Sequence, residues 1–247
     1  MAEKNKSQLK LLLLQIRESP IVQKEELESF TRYCRLQPGQ IDVHNVFDHP
    51  FFQPDIASGY DALLIGGASD ANVLFPDKYP FVESAQALIL QCIIDRLPVF
   101  ASCFGYQLAV LALGGEIIHD DQQYEMGTIP IALTSEARMD PLMASTPDGF
   151  MAVSVHKQKA IQPPPGTTPL ACTPICNHAF KVIDAPFWAF QFHPEVDRQI
   201  FIERLSFYKA HYTDGDDHLE SVLATAQETP DSNALCHHFI QFLLGDR

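Results

Sequence analysis

The chain has 247 residues, 46% of them hydrophobic, with 31 acidic against 17 basic side chains. That length suits one α/β domain, or one domain with an appendage, and is ample for a full core. The net charge of -14 argues against a nucleic-acid or anionic-membrane partner, since either needs a basic surface.

At the start, Lys4, Lys6 and Lys10 precede the apolar run Leu11–Leu14. A secretory signal needs an apolar stretch of roughly 7–15 residues. This run breaks at Gln15, with Arg17 and Glu18 following, so it reads as a buried first strand. No stretch approaches the ~20 apolar residues of a membrane span, and the expectation is a soluble, cytoplasmic protein. The six cysteines (Cys34, Cys92, Cys103, Cys172, Cys176 and Cys236) lack the density of a disulfide scaffold. Cys172 and Cys176 form a Cys-x3-Cys pair without a second pair at ligand spacing, so they read as ordinary thiols and no metal is expected.

The first half alternates apolar β-type runs with amphipathic helical ones. Leu9–Ile16 reads as a strand, Glu25–Arg35 as a helix closed by Pro38-Gly39, Ile41–Phe47 and Tyr60–Ile65 as strands. Val82–Asp95 carries apolar residues at helical spacing, Pro98–Ser102 is a short fourth strand, and a helix follows from about Gly105 to Leu113. This rhythm predicts a parallel sheet covered on both faces. After Gly114-Gly115 come shorter strand-like runs at Thr128–Thr134, Met151–Val155, Thr168–Thr173, Ala179–Ile183 and Trp188–Phe192, which read as an antiparallel extension. Arg198–His211 reads as a helix, Thr213–Asp217 as an acidic break, and His218–Leu244 as one or two further helices. The expected layout is a domain over residues 1–212 and a linker with a helical extension over 213–247.

The strongest chemical signal is Pro98-Val-Phe-Ala-Ser-Cys-Phe-Gly-Tyr-Gln107. A β-run ends on Cys103 and a helix starts within two residues. That is the pattern of a nucleophile elbow, which exposes one side chain at the carboxyl end of the sheet. Ala101, Ser102 and Gly105 are small enough for the tight turn, and a helix N-terminus favours a thiolate. Downstream, Gln191-Phe-His193-Pro-Glu195 ends another strand. Residues i and i+2 of an extended segment share a side, so His193 and Glu195 face the sheet edge together. A cysteine nucleophile needs a base that takes its proton and returns it to the leaving group, and that base needs an acceptor to fix its tautomer. Cys103, His193 and Glu195 suit those roles. The strand ending in Gly66-Gly67 lies one β-α-β unit before the elbow, which makes the backbone N–H groups of Gly67 and Phe104 the natural oxyanion donors.

Gly66-Gly67, Ala101-x-Cys103-x-Gly105-x-Gln107 and Phe192-His-Pro-Glu195 resemble the three motifs of the class I glutamine amidotransferases. The resemblance covers roughly residues 9 to 210. Gly114-Gly115-Glu116 and Glu125-Met-Gly127 are most similar to free-standing relatives of the glutaminase part of GMP synthetase. It implies a flavodoxin-like three-layer α/β sandwich and hydrolysis of glutamine through a γ-glutamyl thioester, without a cofactor. It also implies substrate-binding roles for Gly66 and Gln107, and for Val155, His156 and Lys157 at the amino-acid end of the substrate. The chain departs from the family at Ala101 for a usual Gly, Ala68 for a frequent Pro and Gln158 for a frequent Asp.

Nothing in the chain resembles an ATP-binding or ammonia-accepting domain, and it has no Gly-x4-Gly-Lys-Ser/Thr loop. Three functions follow as alternatives. One is a glutaminase component that passes ammonia to a separate synthase partner. Another is a self-contained hydrolase of γ-glutamyl peptides or conjugates. The third is a non-catalytic regulatory module, against which the intact Cys-His-Glu set argues.

Overall fold

The computed structural model describes residues 5–208 and 216–245, with side chains of the second segment described from Glu220. In chain order its elements are β1 (Leu11–Gln15), α1 (Pro20–Tyr33), β2 (Ile41–Asn45), β3 (Ala62–Ile65), α2 (Phe81–Asp95), β4 (Val99–Ser102), α3 (Phe104–Ala112) and β5 (Ile118–His119). Then follow β6 (Glu125–Leu133), β7 (Phe150–His156), β8 (Gln158–Lys159), β9 (Thr167–Cys172), β10 (Asn177–Val182), β11 (Phe187–Phe190), α4 (Arg198–Phe207), α5 (Asp216–Thr225) and α6 (Pro230–Leu244).

Among the described residues, nine strands form one sheet in the order β2-β1-β3-β4-β11-β10-β9-β6-β7. The first five in that order pair in parallel. From β11 outward the pairings are antiparallel. β11 therefore joins the two halves, and its carboxyl end lies beside that of β4, where a parallel α/β sheet places its ligands.

The alternation of side chains along each strand divides the core in two. Leu12, Leu14, Leu63 and Ile65 face α2 and α3 on one side of the sheet. Leu11, Leu13, Ala62 and Leu64 face Phe30 of α1 on the other. Leu235, Cys236, Phe239 and Ile240 of α6 belong to that second face, and each is fully buried. The carboxyl-terminal helix is therefore a wall of the three-layer sandwich.

Several boundaries differ from the pattern expected of the sequence. The run Trp188–Phe192, expected in the antiparallel extension, instead supplies β11, which pairs in parallel with β4 and antiparallel only with β10, because the connection rather than the run sets strand direction. Helix α1 starts at Pro20, five residues early, because Ser19 is extended and Pro20 at the first helical position is pre-set for helix. Asp216 and Asp217, expected in a break, open α5. Residues 209–211 of the expected helix and 213–215 of the expected break lie outside the described residues, as does Lys4.

Candidate active site

Cys103 sits between the end of β4 and the start of α3 with φ 48° and ψ -95°. Positive φ in a residue with a side chain is strained, and the surroundings must hold it. The Cys103 N–H donates to Phe190 O at 2.7 Å and the Gly105 N–H to Gly66 O at 3.3 Å, which locks the turn between β11 and β3. A Cβ on Gly105 would stand 2.9 Å from Ile65 Cβ, so only glycine lets α3 approach β3 this closely. The Cys103 side chain is almost fully buried.

His193 follows β11, and its N–H donates to Val153 O at 2.8 Å. Its Nδ1–H donates to Glu195 Oε1 at 2.7 Å. This bond fixes the tautomer and leaves Nε2 free for a second partner. Burial pulls the imidazolium down, but the charges of Cys103 and Glu195 outweigh it and lift the His193 pKa to about 9. Glu195 is buried, which pushes its carboxyl up, yet the His193 charge and hydrogen bond hold it down at about 2. The segment is tied to α1, because Ser29 Oγ donates to the Glu195 carbonyl.

Gly66-Gly67 runs directly past this pair. A Cβ on Gly67 would lie 2.6 Å from His193 Cε1 and 3.0 Å from Arg17 Nη2, and one on Gly66 would lie 2.7 Å from Glu26 Oε1. Both glycines are therefore required by close approach. Neither the Gly67 nor the Phe104 N–H has a hydrogen-bond partner among the described residues, which leaves both as free donors beside Cys103 and His193.

Arg17 belongs to none of the motifs, yet it supports this loop. The side chain is buried, with Nε donating to Glu26 Oε1 at 2.8 Å and Nη1 to Ser69 Oγ at 3.0 Å. Burial opposes its charge, but Glu26 overcomes this and raises its pKa, with Glu195 and Cys103 adding to the effect. Its signal in the sequence is a charge placed two residues after the end of a fully buried strand. Gln191, two residues before His193, also reaches the nucleophile, with Nε2 pointing at Cys103 Sγ from 3.9 Å.

Gln107 is buried on α3, and its Nε2 donates to Gln158 O at 3.1 Å and, at a long 3.5 Å, to Gln191 Oε1. Val155, His156 and Lys157 line a cavity of about 540 Å³ together with Ala68, Tyr79 and Tyr124. His156 Nε2 bonds Glu125 Oε2 at 3.0 Å, and Lys157 Nζ lies 3.0 Å from Asp121 Oδ1. Cys103 and Gln107 are not on the wall of that cavity. A smaller space of about 30 Å³, room for about one water, lies between Arg17, Ala68, Val155 and His193. Ala68 and Val155 border both spaces. A separate cavity of about 780 Å³ opens beside Tyr60 and Pro98, at the amino ends of β3 and β4, away from this chemistry.

Comparisons with known proteins place the chain in a family. The family model for glutamine amidotransferase class-I matches residues 28–209. One component of the glutamine-hydrolysing GMP synthase of Methanocaldococcus jannaschii is 31% identical over 119 residues, covering 47% of this chain and 61% of that protein. The chain thus spans less than two thirds of that relative. Gamma-glutamyl peptidase 3 of Arabidopsis thaliana is 26% identical over 213 residues, covering 82% of this chain and 83% of the peptidase. A glutamine amidotransferase crystal structure from Thermotoga maritima superposes with a TM-score of 0.74 over 96% of this chain and 98% of its own, at 18% identity. Because the family model spans most of the chain, including the elbow and the His-Pro-Glu segment, the protein belongs to the class I glutamine amidotransferase family of amidotransferase- and hydrolase-type enzymes.

Proposed function

We propose that the chain hydrolyses the γ-amide of glutamine through a γ-glutamyl thioester on Cys103. The observation that carries this reading is the His193 imidazole, bonded to Glu195 at 2.7 Å and lifted in pKa by the charge of Cys103. The reaction needs the thiolate of Cys103 with the proton held on His193. The thiolate attacks the amide carbon, and the developing oxyanion takes hydrogen bonds from the N–H groups of Gly67 and Phe104. His193 Nε2 gives its proton to the leaving nitrogen, and ammonia departs. The neutral imidazole then takes a proton from water, which attacks the thioester and releases glutamate and the thiol. Gly66 shapes the loop, Gln107 helps to hold the substrate from α3, and Val155, His156 and Lys157 meet the amino-acid end of the substrate.

A second reading has its own support. The cavity of about 540 Å³ leaves space beyond a single amino acid, and the relative aligned over most of its length and of this chain bears the name gamma-glutamyl peptidase. The leaving group would then be the amine of a γ-glutamyl peptide or conjugate, with the same thioester. Ammonia release from glutamine and amine release from γ-glutamyl dipeptides, with and without a separate ATP-dependent synthase, separate the two. A rise in glutaminase turnover on adding the synthase supports the first reading; fast, partner-free dipeptide cleavage supports the second. Full turnover of both substrates by Cys103→Ala would refute both.

A further inference from the structure

Beside the cavity, four ligand-type side chains converge from separate parts of the fold. Glu125 opens β6, His156 closes β7 and is its register partner, Cys176 lies in the turn before β10, and His178 is in β10. Their ligand atoms all lie within 4.8 Å of one another. Glu125 Oε2 is 2.6 Å from His178 Nε2, 3.0 Å from His156 Nε2 and 3.7 Å from Cys176 Sγ.

All three contacts fall on the same carboxylate oxygen. Ligands of a metal converge on the ion, and here four donors of ligand type lie close enough together to share one. We propose that Glu125, His156, Cys176 and His178 bind one transition-metal ion of the Zn²⁺ class.

The distances and donors fit that assignment. Zn²⁺ sits about 2.0–2.2 Å from oxygen or nitrogen and about 2.3 Å from sulfur, which spaces tetrahedral ligands roughly 3.3–3.8 Å apart. The two O–N separations open by on the order of half an ångström to admit the ion, and the widest ligand separations, up to 4.8 Å, close by on the order of 1 Å. Two imidazoles, a thiolate and a carboxylate select a borderline ion such as Zn²⁺ over Mg²⁺ or Ca²⁺, which take oxygen ligands. The carboxylate and thiolate balance the double positive charge. Coordination releases the Cys176 thiol proton to solvent, while each imidazole moves its proton from Nε2 to Nδ1. Among the described residues neither buried Nδ1 atom has a partner, so nothing on that side of either ring locks the starting tautomer. Glu125 and His156 border the cavity, which gives the ion a route in.

The Cys-x3-Cys spacing could not announce this site, because Cys172 takes no part in it. Its ligands come from three strands and a turn. Bound metal would fasten β6, β7 and β10 together and fix the backbone of Val155 and Lys157 on the cavity wall. The site shares His156 with the proposed substrate pocket, but its test reads metal binding and not hydrolysis.

The test uses the full chain carrying Cys103→Ala, so that the thiol of the elbow cannot contribute. Native mass spectrometry after Zn²⁺ loading and Co²⁺ titration followed by absorbance should both give one ion per chain. Co²⁺ should produce a thiolate charge-transfer band in the near ultraviolet. Adding Cys176→Ser should remove that band and weaken binding at least about tenfold, while Cys172→Ser leaves both unchanged. Should Cys176→Ser fail to fold, His178→Gln should weaken binding as strongly. Absence of stoichiometric metal, a band that survives Cys176→Ser, or binding unchanged in His178→Gln overturns the proposal and leaves a hydrogen-bond network.

Discussion

The guanidinium of Arg17 donates from Nε to Glu26 Oε1 at 2.8 Å, with both side chains almost wholly out of water. This pair stands directly behind the Gly66-Gly67 loop. Glu26 fills the space in front of Gly66, and Arg17 Nη2 abuts Gly67. Removing one partner leaves the other charge buried and alone, which costs about 3–5 kcal/mol. Glu26→Gln should therefore lower the unfolding free energy by about that amount in denaturant titrations. The double variant Arg17→Met, Glu26→Leu should recover most of the loss. A double variant as unstable as the single would mean that the pair does not act as a unit.

Strain at the elbow gives a second expectation. Cys103 holds φ at 48°, a conformation that costs a residue with a Cβ on the order of 1–3 kcal/mol and costs glycine little. Cys103→Gly should unfold at a higher denaturant concentration than Cys103→Ala, by about 1 kcal/mol, although both lack the nucleophile. Equal midpoints would show that the surrounding hydrogen bonds, rather than the side chain, set the turn.

Much of this arrangement was readable in the sequence, for physical reasons that differ by residue. Cys103, His193 and Glu195 stand at strand ends flagged by their small or rigid neighbours, and their roles depend on local geometry. The parallel strands β1, β3 and β4 were legible as apolar runs, whereas β11, expected in the antiparallel extension, pairs in parallel with β4, a direction that its own residues do not encode. Arg17 and Glu26 were not legible as a pair, since only the docking of α1 onto the end of β1 brings them together. The meeting of Glu125 with His178 depends on how β6 and β10 flank β9, which no linear spacing encodes. The two-residue pair β5 and β8 is too short to leave a periodic pattern.

Gly67 should be the least replaceable residue of the oxyanion loop. A methyl group there would sit 2.6 Å from His193 Cε1, so either the loop or the imidazole must move. Movement of an oxyanion donor or of the base by about 1 Å costs on the order of 10²-fold in rate. Gly67→Ala should lower kcat by about that factor while far-ultraviolet circular dichroism stays native. A kcat within about threefold of the parent would remove Gly67 from the oxyanion site.

The proposed triad should also leave a signature in stability against pH. The folded pKa of His193 is raised, so its contribution is fully present below its unfolded value, about 6.5, and is lost as pH climbs through about 9. Glu195 behaves oppositely: its folded pKa is depressed, so its contribution is present above about 4.3 and is lost as pH falls through about 2. The difference in Tm between the parent and Glu195→Gln should therefore be widest between about pH 4.5 and 6.5 and should shrink on both sides. A flat difference from pH 5 to about pH 9.5 would mean that His193 does not carry the charge assigned to it.

Packing of α6 makes the last expectation. Phe239 is fully buried, with ring centroids 5.3 Å from Phe100 of β4 and 6.2 Å from Trp188 of β11. Those two strands carry Cys103 and lead to His193. Truncating a buried aromatic to alanine costs about 3–5 kcal/mol, a large share of the stability of a single domain. Phe239→Ala should lose that amount and, if it folds, should retain the KM for substrate, because Phe239 lies behind the sheet rather than on the cavity wall. Deleting residues 230–247 would expose the whole face lined by Leu235, Cys236, Phe239 and Ile240, and the product should be insoluble or lack a cooperative unfolding transition. A soluble, cooperatively folded deletion variant would instead make the last helix an appendage to a domain complete without it.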